Sequence, residues 1–314
     1  MITKDEIEAA RRRIRPHVHE TPLVTSIRMG NAAGVELLLK CESMQRAGSF
    51  KSRGALNAMM QLSPEERAKG VVTVSAGNHA QSLAWAATLV GAECTACMPE
   101  GASPTKVKAT QGYGGTVELV PGERVRAFER ARELAAQGRV MVHPFDDARV
   151  AAGAGTVALE MLEQRPDLEA IVVPIGGGGL ITGIALAAKA VKPGIRIIGV
   201  EPEGAPTMKT ALEAGSPQTI TPKTIADGLS APMVGAMNLE VVRSHVDELV
   251  LVTDDDILAA MRDLMSFAKL VVEPAGAASV AAIRSGKTKF KTGTRVAAII
   301  SGGNVDLDRL KALL

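Results

Sequence analysis

The chain has 314 residues, with 36 Lys and Arg against 34 Asp and Glu and a formal net charge of +2. Nucleic-acid binding needs a concentrated basic face, so this balance argues against nucleic acid as a partner. Hydrophobic residues make up 46% of the chain, which argues against disorder and is enough to build a sizeable core.

The N-terminal segment and the cysteines bear on the compartment. A secretory signal has an apolar stretch after its charged residues, and residues 1–16 have no such stretch. No uncharged apolar run approaches the ~20 residues that a membrane helix requires. The cysteines are few and odd in number, which does not fit a disulfide framework. We therefore expect a cytoplasmic protein that has no membrane partner.

Helices and strands alternate along the chain. Thr3 and Glu6 form a capping-box pattern, which predicts a helix to about Ile14, and Ser63 before Pro64 predicts a second helix start. The predicted strands are residues 35–40, 70–74, 93–98, 116–120, 170–174, 196–200, 248–252 and 295–300. Strands that alternate with helices imply parallel sheets of an α/β protein, because parallel strands need a crossover. In such sheets the functional residues lie at the carboxyl ends of the strands.

Four consecutive glycines, Gly176 to Gly179, follow the strand at residues 170–174 and precede a predicted helix. Glycines permit close backbone approach, and the N–H groups at a helix N-terminus favour a phosphate dianion. The Gly-Lys-Ser/Thr of a nucleoside-triphosphate loop is missing. We therefore expect this loop to hold a phosphate group of another kind of ligand.

The same stretch also permits a dinucleotide interpretation. Gly177, Gly179 and Gly183 are spaced as in a variant Rossmann fingerprint. Glu201 ends the next strand about 20 residues on, where a ribose-binding acid belongs. Considered alone, this stretch indicates a nicotinamide cofactor and a nicotinamide-dependent oxidoreductase.

Polar residues follow two other strands. Residues 75–79, Ser-Ala-Gly-Asn-His, offer backbone N–H groups, a hydroxyl and an amide that suit a carboxylate, although a plain helix cap explains them as well. Ser301 follows the last strand and precedes paired glycines. Glu273 stands before Pro274, where a cap or a salt bridge is the simple explanation.

Lys51 lies in a loop that enters a predicted helix. The helix dipole disfavours a cation at this position and lowers the pKa of an amine, which a nucleophilic lysine needs. A solvated surface lysine is the alternative, because most lysines are exposed.

Four segments together resemble one family: residues 49–55, residues 75–81, Gly176 to Gly179 and residues 301–304. Their order and spacing are similar to those of the serine/threonine dehydratase and serine racemase group of fold-type II enzymes, which use pyridoxal phosphate (PLP). The resemblance extends from about Ile7 to the end of the chain. It implies two parallel-rich open sheets flanked by helices, as in the β-subunit of tryptophan synthase.

The resemblance also implies how the chain is divided and assembled. Residues 1–48 and 146–314 would form a large PLP-binding domain, and residues 49–145 a smaller substrate-side domain inserted in it. The chain as printed stops at Leu314, which is typical of the short catabolic members without a regulatory domain. Homodimers or homotetramers are expected.

The resemblance assigns a role to each motif. Lys51 would carry PLP as a Schiff base beside Phe50, Asn78 would hydrogen-bond the phenolic oxygen, and Ser301 would face the pyridine nitrogen. The implied cofactor-binding residues are Phe50, Lys51, Asn78, Gly176, Gly177, Gly178, Gly179, Glu273 and Ser301. The residues implied around the substrate carboxylate are Ser75, Ala76, Gly77, Asn78 and His79.

The implied reaction is an α,β-elimination on a small hydroxy amino acid, L-threonine or L-serine. A serine at the pyridine nitrogen gives a weaker electron sink than an aspartate, which favours loss of a β-substituent. Lys51 takes the α-proton, the β-hydroxyl leaves, and hydrolysis gives a 2-oxo acid and ammonia. Members that racemise usually carry a hydroxyl where this chain has Ala76, so we favour elimination.

A divalent metal is the second cofactor that the resemblance raises. Metal-dependent members carry an acidic set after the strand that follows the glycine loop, and Glu201 and the carbonyl of Ala205 match it. Thr207 stands where a carboxylate is expected. Hard divalent cations prefer several carboxylate ligands, which argues against a metal site here.

Three alternatives stay open on the sequence. Serine racemase or 3-hydroxyaspartate dehydratase activity lies within the same family. A nicotinamide-dependent oxidoreductase belongs to another class and rests on Gly177, Gly179, Gly183 and Glu201. A non-catalytic amino-acid binding module is the third alternative.

Overall fold

A computed structural model describes residues 2–122 and 124–314. Its α-helices are α1 (Lys4–Ile14), α2 (Ile27–Ala33), α3 (Lys51–Met60), α4 (Pro64–Lys69), α5 (Asn78–Val90), α6 (Pro104–Gly112), α7 (Arg124–Ala136), α8 (Ala148–Gln164), α9 (Gly179–Val191), α10 (Thr207–Ala214), α11 (Ala236–His245), α12 (Asp254–Asp263), α13 (Pro274–Arg284) and α14 (Leu307–Leu313). Its strands are β1 (Leu23–Thr25), β2 (Glu36–Lys40), β3 (Val71–Val74), β4 (Cys94–Pro99), β5 (Thr116–Val120), β6 (Val140–Met141), β7 (Ala170–Pro174), β8 (Arg196–Pro202), β9 (Glu248–Val252) and β10 (Arg295–Ile299).

The strands form two sheets. The six-stranded sheet has the order β1-β2-β10-β7-β8-β9 and is parallel except for β1, which pairs antiparallel with β2. The four-stranded sheet has the order β5-β4-β3-β6 and is parallel throughout. The predicted fold class, two parallel-rich sheets flanked by helices, is confirmed.

The predicted elements agree well with the observed ones, apart from two short strands. Thr3 and Ser63 are both N-caps with complete capping boxes, as predicted. The strands β1 and β6, of three and two residues, are absent from the sequence prediction. Runs this short show no periodicity, and an antiparallel strand does not follow from strand–helix alternation.

Both faces of the six-stranded sheet are buried. In β8, Ile197 packs into the apolar cluster that contains residues of α8 and α9, and Ile198 into the cluster that contains residues of α12 and α13. In β2, Leu38 packs into the first of these clusters and Leu37 into the second. Because both faces are covered, the parallel strands are continuous apolar runs without polar alternation.

Glycines allow three helices to touch backbone to backbone. A Cβ atom added to Gly153 of α8 would lie 2.6 Å from the carbonyl oxygen of Arg53 in α3. A Cβ atom added to Gly155 would lie 2.8 Å from the carbonyl oxygen of Gly183 in α9. The helix that begins at Lys51 is therefore packed closely on α8, and α8 on the helix that begins at the glycine loop.

The two sheets occupy different parts of the chain. The strands of the four-stranded sheet lie within residues 71–141, and those of the six-stranded sheet lie on either side of that range. The domain boundaries at residues 48/49 and 145/146 stay a prediction. In the described residues, no helix has the length and apolar character needed to span a membrane.

Candidate active site

Hydrogen bonds join the loop before α3 to the loop after β10. Ser49 forms an isolated antiparallel bridge with Gly302, and the N–H of Phe50 donates to the carbonyl oxygen of Ser301 at 3.1 Å. The side-chain amide of Asn304 donates to the carbonyl oxygen of Ala47 at 2.8 Å. Two of the predicted site segments, residues 49–55 and 301–304, are thus held together.

Lys51 is the first residue of α3 and is partly buried. Its Nζ donates to the carbonyl oxygen of Pro144 at 2.5 Å and lies 5.1 Å from the centroid of the Phe50 ring. Burial lowers the pKa of Lys51 to about 8. The sequence predicted a lowered pKa from the helix dipole; in the structure, loss of solvent around the amine is a cause of the lowered pKa.

The glycine loop joins β7 to α9 and is packed against protein on one side. Gly178 has a φ of 95° and is the N-cap of α9, so a residue with a side chain would be strained there. A Cβ atom added to Gly177 would overlap the Phe145 ring, and one added to Gly176 would lie 3.1 Å from the carbonyl oxygen of Gly228. The first N–H groups of α9 have no partner within the helix and are available to a ligand.

A buried asparagine, absent from the sequence prediction, holds this loop. The side-chain amide of Asn238 in α11 donates to the carbonyl oxygens of Gly177 at 2.8 Å and Phe145 at 2.9 Å. Its Oδ1 accepts a hydrogen bond from the hydroxyl of Thr182 at 2.9 Å. The only sequence signal is an Asn on the apolar face of a helix, which does not indicate its partners.

Asn78 lies at the centre of a chain of side chains. Its Nδ2 donates to Oε1 of Glu273 at 2.6 Å, and its Oδ1 accepts from Nδ2 of Asn304 at 2.8 Å. Burial raises the pKa of Glu273 to about 7, against the hydrogen bond from Asn78, which lowers it. The structure thus places Asn78 and Glu273 together, 195 residues apart in sequence.

Ser301 is 4% exposed, and its hydroxyl donates to the carbonyl oxygen of Ala275 at 3.2 Å. Ala275 lies in the first turn of α13, two residues after the N-cap Glu273. The backbone N–H of Glu273 donates to the carbonyl oxygen of Gly302 at 3.3 Å. The predicted residues Ser301 and Glu273 therefore lie in adjoining loops.

The segment before α5 is less constrained. The hydroxyl of Ser75 accepts from the N–H of Gly77 at 3.2 Å, and a Cβ atom on Gly77 would meet nothing within 4 Å. Ala76 packs at the edge of a small apolar cluster. The N-terminus of α5 at Asn78 therefore borders open space, which a substrate carboxylate requires.

The imidazole of His79 is turned towards the backbone of Val142. Its Nε2 lies 3.2 Å from the carbonyl oxygen of Val142 and must carry the proton, because a carbonyl only accepts. Its Nδ1 is buried, without a partner in the described residues. Burial, and then the charge of Lys51, lower the pKa of His79 to about 3. The ring is therefore neutral, and only the backbone N–H of His79 is suited to an anion.

The predicted metal and ribose ligand Glu201 is already engaged. Its two oxygens accept from the backbone N–H groups of Met208 at 2.6 Å and Lys209 at 2.9 Å, so it caps α10. The hydroxyl of Thr207 donates to the carbonyl oxygen of Ala231. Among the described residues, no group of three or more His, Cys, Asp or Glu side chains could hold a metal ion. A metal role for Glu201 and Ala205 stays a prediction without support from this geometry.

The contacts also bear on the dinucleotide interpretation. Gly183 is the packing glycine of α9 against α8, and the Glu201 carboxylate has no oxygen free of backbone donors. Two of the residues on which that interpretation rests therefore have structural explanations.

The donor set fits PLP. The N-terminus of α9 suits the phosphate and the Lys51 amine suits the aldehyde, while the Asn78 amide and Ser301 hydroxyl suit the phenolic oxygen and ring nitrogen. These groups and the two-sheet architecture define the class of enzymes that bind PLP at strand ends of an α/β fold. A family model described as pyridoxal-phosphate dependent enzyme matches residues 14–302, and the chain belongs to this family.

Named relatives cover almost the whole chain. It is 42% identical over 316 residues to L-threonine ammonia-lyase of Thermotoga maritima, which covers 100% of this chain and 78% of that protein. It is 40% identical over 318 residues to serine racemase of Dictyostelium discoideum, covering 100% and 98%. The solved structure of maize serine racemase superposes with a TM-score of 0.95 at 40% identity, covering 99% of this chain and 96% of that one.

Proposed function

We propose that this PLP-dependent enzyme is a hydroxy-amino-acid ammonia-lyase that converts L-threonine and L-serine to a 2-oxo acid and ammonia. The observation that carries the proposal is the Lys51 amine, whose pKa is about 8. Its Nζ donates to the carbonyl oxygen of Pro144, and the next residue, Phe145, packs against Gly177 of the glycine loop. The similarity to L-threonine ammonia-lyase of Thermotoga maritima supports the substrate class.

PLP, when bound, supplies the electron sink that makes the α-proton of an amino acid acidic. Lys51 is the residue that removes this proton. At a pKa of about 8 a useful fraction of the amine is neutral near neutral pH, so that Nζ can accept a proton. The carbonyl oxygen of Pro144 accepts a hydrogen bond from Nζ and orients it.

The other predicted site residues would bind and orient PLP. The N-terminus of α9 and the glycine loop bind the phosphate. The Asn78 amide has two N–H groups, of which one is used by Glu273 and the other is free to donate to a phenolic oxygen. The Ser301 hydroxyl must turn from the Ala275 carbonyl oxygen to donate to an unprotonated ring nitrogen.

Elimination is favoured over racemisation by Ala76. Racemisation needs a proton donor on the face of the substrate opposite the lysine, and a methyl group cannot supply one. Racemisation of serine is nevertheless the second candidate, because serine racemase of Dictyostelium discoideum is 40% identical to the chain. Chiral analysis of serine after incubation separates the two activities.

The direct test is release of ammonia from L-threonine, L-serine and 3-hydroxyaspartate, with the 2-oxo acid measured in parallel. Borohydride treatment followed by mass spectrometry is expected to find a pyridoxyl group on Lys51. An enzyme that binds PLP but releases no ammonia from any of these amino acids would contradict the proposed reaction.

We further infer a cytoplasmic homo-oligomer. The three cysteines are buried and unpaired in the described residues, which supports a reducing compartment. Light scattering on the purified enzyme measures the oligomeric state, for which the family resemblance predicts a dimer or tetramer.

A further inference from the structure

Four charged side chains are buried together beneath the active site. They are Lys40 and Glu42, Arg53 and Glu160, and none is more than 6% exposed. Two cations and two carboxylates balance, so the network carries no net charge. We call these four residues the buried network.

Arg53 is the hub of the buried network. Its Nε and Nη2 donate to the two oxygens of Glu42, both at 2.8 Å, and its Nη1 donates to Glu160 at 2.9 Å. Lys40 Nζ donates to the other oxygen of Glu160 at 2.5 Å. Arginine presents a planar fork of five N–H donors, which lysine lacks, and this fork alone can bridge two carboxylates in this way.

The network joins segments that are far apart in sequence. Lys40 ends β2, Glu42 begins the 3-10 turn Glu42–Met44, and Glu160 lies in α8. The N–H of Thr21 also donates to Glu160, and its hydroxyl donates to Glu42. Both carboxylates, Glu42 and Glu160, also accept from Arg53 in the first turn of α3.

Arg53 lies two residues after Lys51. Its N–H donates to the carbonyl oxygen of Phe50 at 3.0 Å, and the next residue, Gly54, would place a Cβ atom 2.5 Å from the carbonyl oxygen of Val150 in α8. Two contacts thus hold the first turn of α3. The Arg53 guanidinium binds Glu42 and Glu160, and Gly54 packs closely against the backbone of α8.

Stability alone does not account for the network. Taking four charges out of water is costly, and apolar replacements of similar volume are often as stable or more so. Burial lowers the pKa of Lys51, and the network, with two cations and two carboxylates, has no net charge to add to that effect. The contribution that remains for the network is to fix the position of the residues it joins.

We propose that Arg53, held by Glu42 and Glu160, is a positioning residue that fixes the first turn of α3 and thereby aims the Lys51 amine at the substrate α-carbon. The inference deepens the proposed function and rests on it. A displacement of a reacting group by about 1 Å costs on the order of 10²-fold in rate, so small loosening of this turn is measurable.

The first test is Arg53→Lys, which keeps the charge and removes the fork. We expect kcat to fall about tenfold or more, with KM within threefold and PLP absorbance unchanged. Arg130→Lys is the control for loss of a fork, because Arg130 of α7 also bridges two carboxylates, Glu118 of β5 and Glu133 of α7, and is partly exposed. The control keeps wild-type kcat. Wild-type kcat in Arg53→Lys would overturn the proposal.

The second test separates position from stability. The fourfold variant K40M/E42Q/R53M/E160Q removes every charge, keeps similar volumes and leaves acceptors for Thr21. It is expected to stay folded, because the two carboxamides keep the acceptors for Thr21, and to lose kcat about tenfold or more; thermal melting measures its stability in parallel. A stable fourfold variant with full kcat would show that the network has no role in positioning.

Hydrogen exchange gives a readout that is independent of turnover. In the PLP-loaded Arg53→Lys enzyme, amides of residues 51–56 should exchange at least about tenfold faster, while those of α9 keep their rates. Unchanged exchange at residues 51–56 would overturn the proposal even if kcat falls. If the wild-type enzyme acts on none of the hydroxy amino acids, the proposed function fails, whereas the exchange result still decides the positioning role.

Discussion

The proposed cofactor side and the proposed substrate side of the active site are built differently. The glycine loop is held by Asn238 and by close contact with Phe145, and its helix α9 packs backbone to backbone on α8. The segment at residues 75–77 has one internal hydrogen bond and open space beside Gly77. A rigid cofactor cradle and a less constrained substrate segment allow one chemistry to be kept while the bound amino acid varies.

Removing the Lys51 amine should have the largest effect on activity. Lys51→Ala eliminates the base, and we expect ammonia release to fall by about 10³-fold or more. Absorbance near ~410–420 nm, expected for a lysine Schiff base, should disappear. Lys4→Ala is the control, because Lys4 is an exposed lysine of α1 paired with Glu8, and this variant should retain the absorbance band. A persistent band in Lys51→Ala would contradict the assignment.

Loss of the hydrogen bonds that hold the glycine loop should have the second-largest effect. Asn238→Ala leaves the carbonyl oxygens of Gly177 and Phe145 without their donor, so we expect about 2–4 kcal/mol less stability. PLP affinity should fall at least about tenfold because the loop loses its anchor.

Asn57→Ala is the matched control for that loss, because Asn57 is another buried asparagine and donates to the carbonyl oxygen of Arg149, away from the loop. It should lose stability without losing PLP affinity. Equal PLP affinity in Asn238→Ala and wild type, measured by equilibrium dialysis, would disprove the anchoring role.

Glu273 links the two sides through Asn78, and its ionisation predicts a pH dependence. Burial raises the pKa of Glu273 from 4.5 to about 7, so the folded state holds this proton more tightly than the unfolded state. Its contribution to stability is therefore full below pH 4.5 and is lost as the pH rises through about 7. The loss is on the order of 3 kcal/mol.

The variant Glu273→Gln keeps an acceptor for Asn78 and removes the ionisation. Its free energy of unfolding relative to wild type, obtained from thermal melts, should rise by about 1–3 kcal/mol between pH 5 and pH 8. A difference that is independent of pH would mean that Glu273 keeps an ordinary pKa in the folded protein.

The smallest effect is expected on the substrate side. Ala76→Ser places a hydroxyl in the less constrained segment and should add slow racemisation of serine, roughly a few per cent of the elimination rate, with stability changed by less than about 0.5 kcal/mol. Chiral chromatography of the remaining serine measures the D-serine formed by racemisation. If no D-serine forms, the opposite-face proton donor requires more than a hydroxyl at this position.

Local patterns predicted most of the fold and part of the site. Strand–helix alternation indicated the parallel sheets, and the glycines after β7 marked the α9 N-terminus. The capping box at Thr3 was visible because its partners are three residues apart. Each of these signals lies within one short segment.

Contacts between distant segments were not predictable in this way. Asn238 donates to residues 61 and 93 positions away, and Arg53 to Glu160 across 107 positions. A side chain's type indicates what it can bond to, but not which remote backbone or carboxylate the fold brings near. The family resemblance implied roles for the residues expected at the cofactor, but none for Arg53 or Asn238.

The glycine contacts of α8 set limits for redesign of this enzyme. A Cβ atom at Gly153 would press on the backbone of α3, and one at Gly155 on the backbone of α9, where no change of neighbouring side chains can make room. Mutant libraries that aim at new amino-acid substrates are therefore best centred on Gly77. A Cβ atom added there meets nothing within 4 Å, and the backbone contacts of α8 with α3 and α9 are left intact.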